Sequence, residues 1–182
     1  MSDPDLALIP NLIVAQLRAF PDLAPLSVTE ADGSVVSAIV GINEGDLLTQ
    51  IQAALNRLNV SVTVLLESAA PDMDPQSPAV IYDPVHVLIE VAELVALNQQ
   101  TASSVPAGTG TGLQAWTIAD RITAALQYWS IPLSKPQRLL PRAPGIINST
   151  TKEDADAGYK VLRLHFTTQC MGVQRPSAIA QP

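Results

Sequence analysis

The sequence predicts an α+β fold, a mostly antiparallel β-sheet with α-helices packed on one face. Three observations carry that expectation. A helical stripe from Leu47 to Leu58 runs directly into a period-2 apolar run from Val60 to Leu66; a second strand-like run starts at Val85; and the longest helical stripe, Leu113 to Trp129, follows it. At 182 residues the chain is long enough for one domain with a substantial core and too short for two ordinary ones. The expected division is a single domain over residues 1–171, opened by an N-terminal helix, and an extended tail over residues 172–182.

Residues Leu8 to Phe20 set Ile9, Ile13, Gln16, Leu17 and Phe20 on one helical stripe. Pro10 suits the first turn of that helix, where its missing N–H has no intrahelical partner. Asp32-Gly33 is a turn signal between Leu26–Ala31 and Val35–Val40, which predicts a small hairpin. From Glu44 to Leu58, Leu47, Leu48, Ile51, Ala54, Leu55 and Leu58 recur at helical spacing, with Glu44 and Asp46 at the start and Arg57 near the end to match the helix dipole. Val60, Val62, Val64 and Leu66 then alternate with Ser61, Thr63 and Glu67, so this strand turns its apolar face to a helical layer.

Ala69 to Pro84 holds Pro71, Pro75, Pro78 and Pro84 with Asp72, Asp74 and Asp83, and reads as an exposed connection without ladder hydrogen bonds. Val85, Val87, Ile89 and Val91 form one face of the next strand; His86, Leu88, Glu90 and Ala92 form the other. Two strands joined by a long connection suggest an antiparallel pair. A Gly/Ser/Thr-rich loop over residues 101–112 leads to a helix with Ala115, Ile118, Ile122, Ala125, Leu126 and Trp129 on its inner stripe and Gln114, Asp120, Arg121 and Gln127 away from it. Ser130 to Gly145 is proline-rich and carries only basic charges, Lys135, Arg138 and Arg142. The last strand, Gly158 to Gln169, alternates, and the turn residues Asp154 to Gly158 let Gly145–Thr151 pair back on it as a hairpin.

The composition bounds the function. A net charge of −7 argues against tight nonspecific grip on nucleic acid, which depends on Lys and Arg replacing phosphate counterions. The single cysteine, Cys170, excludes an intrachain disulfide and a multi-Cys zinc site and fits a reducing compartment. The start of the chain is acidic where a secretory signal is basic, and the apolar runs fall short of the roughly 20 residues that cross a bilayer. A soluble, cytoplasmically made protein is expected.

Each reactive residue type bears on whether the chain carries chemistry. Gly108 to Gly112 precedes a helix, a place where backbone N–H groups can cradle phosphate. It lacks the Gly-Lys-Ser/Thr end of a P-loop and the GxGxxG spacing of a dinucleotide fold, so it reads as a strand-to-helix connection. His86 and His165 are the two histidines, both in strands, where they would meet across a sheet beside Glu67 or Glu90. Two imidazoles and a carboxylate can bind a metal, but no HExxH or HxH spacing supports one, and isolated histidines on mixed strand faces are more often ordinary surface or hydrogen-bonded residues. There is no GxSxG elbow, Cys170 beside Met171 reads as a spectator thiol, and Asp72 and Asp74 lack the glycine and distal Glu of an EF-hand loop. No catalytic residue, cofactor site or metal ligand is nominated, and no enzyme is expected. The basic segment has no interleaved aromatics for stacking on bases; an acidic protein surface or a neighbouring copy of the chain suits it, as does solvent.

Four stretches, EGDLLTQIQAALNRLNVSVTVLLE, VHVLIEVAELVALNQ, GTGTGLQAWTIADRITAALQYW and DAGYKVLRLHFTTQ, resemble in pattern the tail-terminator and tail-completion proteins of long-tailed bacteriophages and related tube-building particles. The resemblance covers about residues 44–169. It implies a structural virion protein without catalytic residues or cofactors, forming a ring, commonly a hexamer, at the head-proximal end of a tail and joining tail to neck. The implied partners are copies of the chain, tail-tube protein and neck or connector proteins, and the implied location is the virion after assembly in the host cytoplasm. DNA would pass through an acidic lumen without being held. The candidate assembly contacts are Gln99, Thr101, Gly108, Gly110 and Gly112 in the loop, Lys135, Arg138 and Arg142 in the basic segment, and Arg175 in the tail. The alternatives are another head-tail connector, in the neck or completing the head, and a small ligand-binding domain or enzyme that uses Gly108–Gly112.

Overall fold

The computed structural model describes residues 5–42, 45–71, 79–94, 113–127, 129–133, 137–138, 140–154 and 157–174. Helix α1 (Asp5–Ala19) and a 3-10 turn (Pro21–Leu26) lead into a small antiparallel hairpin of β1 (Ser27–Thr29) and β2 (Val35–Ser37), then β3 (Ile39–Gly41). Helix α2 (Leu47–Leu58), the long strands β4 (Val60–Pro71) and β5 (Ala79–Leu94), and helix α3 (Ala115–Leu126) follow. The chain ends on the short pair β6 (Ser130–Ile131) and β7 (Gln137–Arg138), then the long hairpin β8 (Leu140–Asp154) and β9 (Ala157–Gln174). The main sheet has the order β3-β4-β5-β9-β8, antiparallel throughout except for the β3–β4 pair. This is the α+β architecture the sequence predicts.

Strand parity builds the core. Val60, Val62 and Val64 of β4, Val85, Val87, Ile89 and Val91 of β5, and Leu162, Leu164 and Phe166 of β9 are all buried and share one face. Ile9, Ile13, Val14 and Leu17 of α1 and Ile118, Ala119, Ile122 and Leu126 of α3 join them in one cluster. Each large side chain removed from water there contributes about 1.5–3 kcal/mol. On α2 only Ala54 and Leu58 are buried; Leu47, Ile51 and Leu55 are half-buried and Leu48 is exposed, so its stripe is narrower in use than in sequence.

Two local devices position these elements. At the hairpin, Gly33 takes φ +84°, and the Asp32 carboxylate accepts from the Ser34 hydroxyl at 2.7 Å and the Ser34 N–H at 2.9 Å. Those bonds, the hydroxyl first, hold Asp32 below the usual carboxylate range. Between α2 and β4 the whole connection is Asn59, in the left-handed region at φ 59°. Its N–H donates to the Leu55 carbonyl at 3.1 Å and its own carbonyl accepts from the Leu94 N–H at 2.9 Å, closing the helix while fastening it to the end of β5.

Four expectations change. Helix α1 begins at Asp5, so Pro10 sits in its second turn, buried, and not in its first. The proline-rich connection is shorter than the composition suggests, because β4 continues to Pro71 and β5 begins at Ala79; the ladder accommodates the prolines by register shifts between Ala69 and Pro71 and between Tyr82 and Val85, where Pro84 lies. The stretch between Ser130 and Gly145 likewise contains β6, β7 and the start of β8, with a register shift between Pro141 and Ile146. Helix α3 stops at Leu126, and Trp129 packs half-buried just beyond it, its N–H donating to the Leu126 carbonyl at 3.0 Å.

Candidate functional site

The loop where the sequence raises a ligand site, Gly108–Gly112, lies outside the described residues, and at the start of α3 beyond it a carboxylate from the sheet holds the first turn. The helix-facing row of β5 runs Val85, Val87, Ile89, Val91 and then Glu93, which is 2% exposed. Its Oε2 accepts the Ala115 N–H at 2.8 Å, while Gln114 at the N-cap position gives no side-chain hydrogen bond. A buried carboxylate thus meets the positive end of the helix dipole and one of its orphan donors. An incoming phosphate would have to displace that carboxylate and leave a second anion buried beside it, which is electrostatically unfavourable. The signal for this cap in the sequence is a glutamate that ends an otherwise apolar strand face. Beside it, Lys160 pairs with Glu93 in the β5–β9 register, and its Nζ lies 5.3 Å from the ring centroid of the exposed Trp116.

The opposite face of the sheet carries the histidines. His165 Nδ1 stands 3.2 Å from Glu67 Oε2, so this imidazole does reach a carboxylate, as its strand position suggests. Arg163 Nε pairs with Glu90 Oε2 at 3.0 Å. His86 is opposite Thr167 and His165 is opposite Leu88, which makes the two histidines diagonal neighbours. His86 Nδ1 and His165 Nε2 are buried without a hydrogen-bond partner. Among the described residues no three His, Cys, Asp or Glu side chains converge, and two ring nitrogens fall short of the three protein ligands a catalytic zinc takes.

Of the candidate contacts, Gln99, Thr101, Gly108, Gly110, Gly112, Lys135 and Arg175 lie outside the described residues. Arg138 lies in β7 opposite Ser130, and Arg142 lies in β8 within its register shift, so the two basic positions belong to different sheets. Asp72 and Asp74 also lie outside the described residues. Among the described residues no helix is long and apolar enough to cross a membrane.

No pattern within a strand reveals the two margins of the sheet. β3 covers only Val62, Thr63 and Val64 of β4, and β8 forms the other margin. Among the described residues, no strand lies beside β4 from Leu65 to Pro71 or along the outer edge of β8.

No protein-family model matches the chain, and no curated protein matches it. Among solved structures, the chain is similar to one from a structure described as the virion of a native gene transfer agent (GTA) particle. That match has a TM-score of 0.48 and 20% sequence identity, and covers 88% of this chain and 92% of the other.

Proposed function

We propose that this protein is a structural assembly subunit of a phage-like virion, a tail terminator or completion protein that forms a ring at the head-proximal end of a tail and joins it to the neck. The observation that carries this reading is the sheet with helices on one face and, among the described residues, no strand beside β4 from Leu65 to Pro71 or along the outer edge of β8, a shape that offers two opposite sides for strand pairing. The α+β architecture is also the one that the sequence resemblance implies. The rival reading, a phosphate-binding enzyme, loses support because Glu93 holds the start of α3.

In this reading Gln99, Thr101, Gly108, Gly110 and Gly112, with Lys135, Arg138, Arg142 and Arg175, contact neighbouring subunits, tail-tube protein or neck proteins, around a domain spanning residues 1–171. Light scattering and negative-stain imaging of the full chain, alone and with tail-tube protein, test it. Rings are the expected result. A strict monomer under both conditions that binds nucleotide overturns the proposal.

A further inference from the structure

We propose that the ring closes by strand addition, the β8 edge of one copy pairing with the β4 edge of the next; this rests on the assembly reading above and names the surfaces that carry it. β4, β5, β9 and β8 are four successive antiparallel strands, so β4 and β8 run in opposite directions. In a head-to-tail repeat, β8 of one subunit therefore meets β4 of its neighbour antiparallel, the same relation as every pair inside the subunit. An odd number of alternating strands would have forced a parallel junction. Repetition by rotation pairs the open length of β4 with β8 at every junction and leaves only the three residues of β3 at a margin, a near-closure that reduces the hazard of an open sheet.

The two edges match in character as well as direction. On β4 the open length is Leu65 to Pro71, and Glu67, Ser68 and Ala70 there are exposed. On β8 the run Ile146 to Thr151 contains no proline and no charge, whereas Pro141 and Pro144, residues that protect an edge, stand before it. β3, three residues long, stops the neighbour from sliding past Leu65 and so sets its register. The arrangement also assigns the two faces of the sheet. Every subunit turns α1, α2 and α3 to the same side of the ring, and the face with Glu67, Glu90, Arg163 and His165 to the other.

The test uses the full chain in a Cys170→Ser background. Ala70→Cys and Thr150→Cys proteins are prepared separately, mixed with tail-tube protein, and treated with a short bismaleimide. A cross-linked band that requires both proteins, together with rings by imaging, is the expected result. Rings without that band, or a band from Thr150→Cys alone, overturn the edge pairing while leaving the ring reading intact; absence of any oligomer overturns the ring reading itself. As a second variant, Ser68→Lys/Ala70→Lys places charges on exposed edge positions. It is expected to keep the wild-type melting temperature while ring population falls by about tenfold or more. An unchanged ring population would refute the pairing.

Discussion

Helices α2 and α3 begin in opposite ways. α2 is capped from within its own chain segment: Asp46 Oδ1 accepts the N–H groups of Leu48 at 3.2 Å and Thr49 at 3.4 Å, and its Oδ2 accepts the Thr49 hydroxyl at 2.6 Å. α3 has no such local cap and takes Glu93 from β5 in its place. Asp46 is exposed to water, Glu93 is buried. A local cap stabilises a helix wherever that helix lies. A cap borrowed from a strand stabilises the helix only in its docked position, so it joins secondary structure to tertiary structure.

That contrast is open to attack, beginning with the strongest perturbation. Ile122→Asp places a charge in the middle of the buried stripe of α3 and is expected to abolish cooperative folding, read as loss of the thermal transition. A near-native melt would show that α3 is not docked as described. Glu93→Ala leaves the Ala115 N–H without its acceptor in a buried site, and a loss of about 2–3 kcal/mol in urea unfolding is expected. A loss below about 0.5 kcal/mol, the range of ordinary surface substitutions, would remove the special role of this carboxylate. Glu93→Gln keeps an acceptor and gives up the charge facing the dipole, so the expected loss shrinks to about 1 kcal/mol.

The smallest effect is at Asp46, and pH resolves it. Bonds from the Thr49 hydroxyl, then from backbone N–H groups, hold its carboxyl below the usual range. A depressed folded-state value means stability that is present above the unfolded value and lost as pH falls through the folded one. The melting-temperature difference between wild type and Asp46→Ala should therefore be steady from about pH 5 to 7 and narrow below about pH 4. A difference that persists unchanged at pH 2–3 would contradict the charged cap.

The same contrast explains which parts of the fold were legible in the sequence. Asp46, the stripe from Leu47 to Leu58, the parity of β4, β5 and β9 and the turn at Asp32-Gly33 are written within a few residues, and each appears in place. Pro71, Pro84 and Pro141 misled because a proline argues locally against a strand, while a bulge in a ladder supplied by a distant partner admits it. β3 is not legible as part of the main sheet because its parallel partner, β4, comes after an intervening helix. The proposed contacts in the loop rest on composition alone and lie outside the described residues. The open edges were illegible for a different reason: strand order decides which strand lies at a margin, and no pattern within a strand records it.

Asn59 gives the last consequence. Because one residue separates α2 from β4, the angular phase of a 3.6-residue repeat is tied to the odd-even phase of a 2-residue repeat. Val60, Val62 and Val64 face the helices only while that offset holds. An insertion of one residue here would ask the chain to choose between keeping the stripe of α2 against the sheet and keeping the valines inside. Length at this position is therefore as strongly specified as residue type is in the core, and a connection of one amino acid acts as the timing mark for both halves it joins.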